Sequence, residues 1–309
     1  MNTSSTKIVI REVGLRDGLQ SIARTLPTES KIEWLRDAHA AGLREIEVGS
    51  FVPARLLPQL ADTAELVAFA KTLPELVVSV LVPNLKGAER ALESGADSML
   101  LPLSASHAHS LANLRKAPDD VLREIAQIVA ARNAAGSQCE VEIGISTAFG
   151  CTIQGRVEPD EVLRLLRAVI ELGVDRVGLA DTVGYADPKA VGELFARGVE
   201  IAGGKLSCGH FHDTRGLGMA NAFAAWQTGI RRFDASLAGL GGCPHAPGAS
   251  GNVATEDLAY LFASMGEPTG LDFDALITLR AKVADWLDGE ALHGAIWQAG
   301  LPKMMRAAA

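Results

Sequence analysis

The chain has 309 residues, of which 48% are hydrophobic and 21% charged, and 29 Lys and Arg against 37 Asp and Glu leave a net charge of −8. That length is ample for a full core and holds one large α/β domain or two smaller ones, while an acidic balance without basic clusters argues against nucleic acid or an anionic membrane as partner. The apolar runs are strand-sized rather than membrane-spanning, the opening MNTSSTKIVIREVG lacks the flank and core of a signal peptide, and four cysteines without CxxC spacing build neither a zinc ribbon nor a disulfide framework; a reduced, cytoplasmic setting is expected.

In chain order, KIVIREVG reads as a first strand and ESKIEWLRDAHAAG as the helix that follows it. REIEVGS is the second strand, and LPQLADTAELVAFAKTLPEL, bracketed by prolines, a helix before the third, VVSVLVP. DSMLLPLS and CEVEIGIST flank PDDVLREIAQIVAARNAAG, and DRVGLADT follows PDEVLRLLRAVIELG. Both of these helical segments open with Pro-Asp and close near Gly, which fits helix start and stop chemistry. KLSCGHFH and RFDASLAGLG complete eight strands, after which LDFDALITLRAKVADWL and GEALHGAIWQAG read as appended helices. Strand–helix alternation means parallel pairing with right-handed crossovers, and eight such units match a (β/α)8 TIM barrel. A doubly wound open sheet is the rival, but the first strand ends in GLRDG rather than the glycine fingerprint of a dinucleotide fold. The expected organisation is a single domain, 1–309, with a barrel core at 7–265 and a C-terminal helical extension at 266–309.

In such a barrel the chemistry collects at the carboxyl ends of the strands. Those ends carry Arg16, Asp17 and Gln20 after strand one, Glu47 and Ser50 on strand two, Thr147 after strand five, Asp181 on strand six, and His210 and His212 on strand seven. After strand eight comes GLGGCPHAPGASGN, with Cys243, His245 and Asn252. Residues i and i+2 of a strand share a face, so His210 and His212 project together, either as metal ligands or as packed, hydrogen-bonded histidines. Asp17 with the two imidazoles offers one oxygen and two nitrogens to a divalent cation, and Asn252 adds a carbonyl oxygen if its loop folds back over the barrel mouth. Mixed O/N donors suit Mg2+ or Mn2+, with Zn2+ also accommodated. His107 and His109 form a second His-x-His after strand four.

EVGLRDGLQ (12–20), IEVGSFV (46–52), VPNLKG (82–87), GLADTVG (178–184), HFHDTRG (210–216) and GLGGCPHAPGASGNVATEDL (239–258) together resemble the 3-hydroxy-3-methylglutaryl-CoA lyase family of metal-dependent lyase/aldolase TIM barrels. The resemblance runs from about residue 7 to 300. It implies that Asp17, His210, His212 and Asn252 bind the divalent metal and that Arg16 neutralises charge developing on a thioester oxygen. It further implies that Glu47 belongs to the polar shell, that Cys243 rides a glycine loop that closes over the site, and that Asp181 shapes the site. The implied catalytic set is Arg16, Asp17, Glu47, His210 and Cys243, with Gln20, Ser50, Thr147, Asp181 and Arg215 as candidates for substrate contact. The implied reaction is metal-dependent retro-Claisen cleavage of a 3-hydroxy-3-methylglutaryl-CoA-like acyl-CoA to acetyl-CoA and a keto acid, acetoacetate, by a homodimer.

The chain departs from the family pattern where substrate would be gripped. Arg215 stands where the family has tyrosine, Thr147 where it has cysteine, Gly178 where it has serine, and His107 where it favours an acidic residue. A related substrate such as citramalyl-CoA is therefore an alternative, as is a Claisen-type synthase or aldolase on the same barrel, although only some 40 residues follow the barrel where synthases carry accessory regions. A non-catalytic metal-binding barrel is the reading furthest from the residues present.

Overall fold

The computed structural model describes residues 7–242 and 251–306. Eight parallel strands close into a barrel in strict chain order: β1 Val9–Glu12, β2 Glu45–Ser50, β3 Val77–Leu81, β4 Ser98–Ser104, β5 Glu140–Ser146, β6 Arg176–Asp181, β7 Leu206–Phe211 and β8 Arg232–Ala235. The ring is completed by β1 and β8, which pair in register from Val9↔Arg232 to Glu12↔Ala235. The open-sheet alternative is thereby excluded.

Helices wrap the barrel: α1 Thr28–Ala40, α2 Thr63–Ala70, α3 Leu85–Ser94, α4 His107–Leu114, α5 Pro118–Ala134, α6 Pro159–Glu171, α7 Pro188–Ala202, α8 Gly218–Gln227, α9 Thr255–Ser264 and α10 Phe273–Trp286. In α5 and α6 the proline opens the helix, where its missing N–H costs no hydrogen bond. Two elements differ from the sequence pattern. The segment before β3 splits into a 3-10 turn, Pro58–Leu60, and the shorter α2. There the Thr63 hydroxyl bonds the Ser50 N–H and carbonyl, and Asp62 pairs with the buried Lys31, so side-chain anchoring to β2 and α1 overrides a continuous helix. GEALHGAIWQAG forms only the single turn Ile296–Ala299, interrupted upstream by Gly289 and Gly294 at positive φ.

Period-two alternation places the residues of each strand on opposite faces. On β5, Val141, Ile143 and Ile145 are fully buried in the apolar layer beneath the helices, while Glu142 joins charges from other strands inside the barrel. On β8, Phe233 packs against Phe262 of α9 and Asp234 faces inward onto Arg11. The barrel interior is consequently ionic. Arg11 reaches both Asp234 (2.7 Å) and Glu142 (3.0 Å), Arg232 reaches Glu142 (2.9 Å) and Glu45, and each of these side chains is largely or wholly buried. Unpaired, such charges would be prohibitive in a low-dielectric core; here each has an opposite partner.

Candidate active site

Strand β1 ends in an unusual turn. Gly14–Gly18, GLRDG, winds as one π-helical turn whose N–H groups at Arg16, Asp17 and Gly18 converge on the Val13 carbonyl. Single π-turns recur at functional sites because they turn side chains that an α-helix would disperse. A Cβ at Gly14 would lie 2.5 Å from Glu12 Oε1 and 2.7 Å from Trp34, so only glycine fits that approach. The turn delivers Arg16 and Asp17 to the barrel mouth. Arg16 is 6% exposed and bridges two carboxylates, Asp17 at 2.5 Å and Glu47 of β2 at 2.8 Å.

Across the mouth, β7 presents His210, and the chain continues to His212. Their Nε2 atoms are 3.1 Å apart, and Asp17 Oδ2 lies 4.0 Å from the first and 3.8 Å from the second. One ligand atom from each of Asp17, His210 and His212 falls within 4.8 Å of the others. The chain after β8 folds back over this point. Residue 251 accepts the Asp213 N–H, Val253 donates to Phe211, and His212 and Asn252 form an isolated antiparallel bridge. Asn252 Nδ2 then donates to Asp17 Oδ2 (2.8 Å) and to the Leu240 carbonyl (3.2 Å). Gly241 and Gly251, both at positive φ, let the two arms of this loop cross: a Cβ at Gly251 would meet the Gly241 oxygen at 2.0 Å, and one at Gly241 the Asn252 amide at 2.5 Å.

The donor set fits a divalent cation. Buried polar groups are almost always hydrogen-bonded, yet Asn252 Oδ1 and His212 Nδ1 are buried with no partner among the described residues. Two imidazoles and a carboxylate held this close are also what a hard-to-borderline ion selects. Burial opposes charge on Asp17, but Arg16, the two histidines and the Asn252 amide outweigh it and hold the carboxyl at about 2. Burial and its histidine neighbour push His212 down to about 4, which keeps its ring neutral, the form that binds metals. His210 is raised despite burial, because Asp234 accepts a hydrogen bond from its Nδ1 (3.1 Å). Burial raises Glu47 against the pull of Arg16.

The HMGL-like family model matches residues 7–283. The chain belongs to that family. Among HMGL-like proteins it is 41% identical to the 3-hydroxy-3-isohexenylglutaryl-CoA/hydroxy-methylglutaryl-CoA lyase of Pseudomonas aeruginosa, over 90% of this chain and 92% of that one. It is 37% identical to the (R)-citramalyl-CoA lyase of Chloroflexus aurantiacus, covering 95% of both. An HMG-CoA lyase from Acinetobacter baumannii, solved with coenzyme A and 3-methylmalate, superposes with a TM-score of 0.92 at 38% identity over 98% of each chain.

Of the residues singled out in this HMGL-like sequence, Arg16, Asp17, Glu47, His210, His212 and Asn252 come together. Asp181, at the end of β6, accepts the N–H groups of Tyr185 and Ala186 and lies within electrostatic reach of both His210 and Arg215. Arg215 donates through Nη1 to the Val183 and Gly184 carbonyls and stacks on the Tyr185 ring at 4.6 Å. With Phe149, Gly150, Gly155 and Arg156 these two side chains line a recess of about 460 Å3. Gln20 is half-buried just past the π-turn. The Ser50 hydroxyl receives the Val52 N–H. Thr147 is fully buried at φ 55°, its hydroxyl bonded to Ser106 N–H and the Ser146 carbonyl, so it braces the loop after β4 rather than facing the mouth. Cys243 and His245 lie outside the described residues. His107 and His109 stand on α4, where two residues span about 200° of helix, and His109 is buried beside Ser104 while His107 is exposed.

Sequence reasoning did not single out Arg11, Glu142 or Asp234. A charge flanked by apolar residues inside a short strand, as in EVEIGIS and RFDA, is the signal that marks Glu142 and Asp234.

Proposed function

We propose that this chain is a divalent-metal-dependent carbon–carbon lyase that cleaves a 3-hydroxy-3-methylglutaryl-CoA-like thioester between C2 and C3 to acetyl-CoA and a keto acid. The convergence of Asp17, His210, His212 and Asn252 beside the buried Arg16 carries this reading, and the names of the two related lyases and of the coenzyme A-bound neighbour support it.

A Mg2+ or Mn2+ ion held by those four residues would acidify the C3 hydroxyl and fix its orientation. Asp17, ionised at neutral pH because its carboxyl titrates at about 2, takes the hydroxyl proton only transiently. As the C2–C3 bond breaks, its electron pair passes into the thioester enolate and C3 becomes a ketone. Arg16, charged at every working pH and itself only 6% exposed, offers that enolate a fixed cation away from water, where such charge counts most. Glu47 holds the guanidinium in place from β2. Because His210 is committed to the metal through Nε2 and to Asp234 through Nδ1, the proton that completes acetyl-CoA comes from Cys243, and the hydroxyl proton carried by Asp17 then restores the thiol.

The recess beside Arg215 favours a second reading of the acyl group. Its cation and aromatic walls stand on the loops after β5, β6 and β7, beside Asp181, and suit a substrate whose C3 substituents differ from those of the methylglutaryl thioester, such as citramalyl-CoA or a longer-chain analogue. We assign Gln20, Ser50, Asp181 and Arg215 to substrate placement, with Thr147 acting behind them. Closed two-fold symmetry, the commonest arrangement of soluble oligomers, supports a homodimer, and a cytoplasmic location completes the reading.

Release of acetyl-CoA from 3-hydroxy-3-methylglutaryl-CoA and from citramalyl-CoA, each with Mg2+ or Mn2+ and with chelator, tests the assignment. Chelator-sensitive cleavage of either upholds the chemistry and names the substrate. Turnover that persists undiminished in chelator refutes the metal-dependent mechanism, and absence of cleavage across a wider acyl-CoA panel refutes the lyase.

A further inference from the structure

Parallel register places Arg11, Asp234 and His210 side by side across β1, β8 and β7: Arg11↔Asp234 and His210↔Asp234 are Cα partners. The Asp234 carboxylate is 4% exposed and is ringed by donors. Arg11 gives Nε to Oδ1 (2.7 Å) and Nη2 to Oδ2 (2.9 Å), Cys208 turns its thiol to Oδ1 (3.4 Å), and His210 Nδ1 lies 3.1 Å from Oδ2. Arg11 is itself held by Glu142, and Glu142 by Arg232. An ionised carboxylate only accepts hydrogen bonds, so the proton between Asp234 and His210 belongs to Nδ1. The Nε2 lone pair is thereby left for the mouth, where it faces His212 Nε2 and Asp17. Among the described residues His212 has no such orienting acceptor, its Nδ1 being buried without a partner there.

We propose that Asp234, clamped by Arg11, is a positioning residue that locks His210 in the Nδ1–H tautomer with Nε2 directed into the metal centre. Carboxylate–histidine pairs behind metal ligands fix ring orientation and tautomer in this way. The proposal rests on the reading of His210 as a ligand, but the tautomer can be read without any metal. An amide cannot replace the carboxylate. Asp234→Asn puts its NH2 group either in the place of Oδ1, against the Arg11 Nε–H, or in the place of Oδ2, against both the Arg11 Nη2–H and His210 Nδ1, and the second orientation drives the imidazole proton to Nε2.

The test uses full-length protein labelled with 15N-histidine. Long-range 1H–15N spectra of the metal-free wild type, recorded at a pH high enough that the His210 ring is neutral and with its signals assigned by their loss in His210→Gln, should show His210 protonated at Nδ1 and bare at Nε2. Asp234→Asn should lose that pattern and weaken Mn2+ binding, measured by calorimetry, by about 10–100-fold. Cys208→Ala, which removes only the thiol from the ring of donors, should keep both the pattern and the affinity. A wild-type His210 protonated at Nε2 would overturn the proposal, as would an Asp234→Asn protein with wild-type tautomer and affinity. The wild-type spectrum decides the matter even if the Asn variant does not fold. A wild type that shows the Nδ1–H pattern yet binds no Mn2+ would sink the metal reading and leave the positioning of His210 by Asp234 standing.

Discussion

Replacing Arg16 by glutamine removes one guanidinium from two carboxylates, Asp17 at 2.5 Å and Glu47 at 2.8 Å, and Glu47 is wholly buried. Stranding a buried charge by deleting its partner costs about 3–5 kcal/mol, a large share of the roughly 5–15 kcal/mol that holds a domain folded. Loss of a fixed charge at a developing oxyanion lowers kcat by about 10²–10³-fold, or about 2.7–4 kcal/mol. The two penalties are similar in size but separable. In Arg16→Gln/Glu47→Gln the stranded carboxylate is gone, so stability measured by urea unfolding should recover in large part, while acetyl-CoA release should remain at the level of the single variant. Mn2+ should still bind both variants. Asp17, freed from Arg16, rises from about 2 toward the ordinary carboxylate range and stays ionised at pH 7. A double variant whose rate recovered together with its stability would show that Arg16 only props Glu47, and a single variant with near-normal turnover would remove Arg16 from the chemistry altogether.

His212→Ala should weaken Mn2+ binding by at least about tenfold, the low end for disturbing a metal-site partner; calorimetry giving wild-type affinity would contradict the ligand assignment. Gly241→Ala combines a φ of 127° with a Cβ 2.5 Å from the Asn252 amide, whereas Gly229→Ala meets a φ of 101° in open space. Both should lose about 1–3 kcal/mol to backbone strain, but only the first should loosen Mn2+, and equal affinities in the two would refute the role given to the Asn252 contact. Burial raises Glu12 to about 7 against its hydrogen bonds from Thr255, Leu237 and Gly14, and raises Glu256 to about 7 against the Ala238 N–H and Arg280. Because the folded state holds these protons longer than the unfolded chain, their stabilising contribution is present below pH 4.5 and is lost as pH rises to 7, by up to about 3 kcal/mol per group. Urea unfolding at pH 5 and 7.5 should show that fall, and Glu12→Gln with Glu256→Gln should flatten it; a slope unchanged by both substitutions would place the titration elsewhere.

The barrel was legible because its strands are short, bounded and eight in number, and because Pro-Asp openings mark α5 and α6. His210 and His212 were legible as a pair because strand periodicity alone puts them on one face. Asn252 needed the loop after β8 to fold back, and the glycines at 241 and 251 that allow the crossing show only as composition in the sequence. Asp234, Arg11 and Glu142 escaped notice for a different reason: the first two depend on inter-strand register and Glu142 on a contact across the closed barrel, and neither is written in any one segment. For His107 and His109 the same i, i+2 spacing separates the side chains, because the local backbone is helical. Thr147 was read from its place at a strand end, but its left-handed backbone and its bonds are set by Ser106 and Thr182, just past the ends of β4 and β6.

The chain of charges through the barrel, from Glu45 to Arg232, Glu142, Arg11 and Asp234, has a consequence for descent as well as for structure. No member can be neutralised alone without leaving a neighbour charged in the dark of the protein, so ordinary drift, one substitution at a time, meets a barrier at each of these positions. Change there comes in matched pairs or not at all. Lineages of this family should therefore inherit the set as a block, alternating sign from one ion pair to the next. Where one member differs, the residue it pairs with, whether beside it or across the barrel, should differ with it, while the outward-facing aliphatic residues of the same strands exchange freely among themselves.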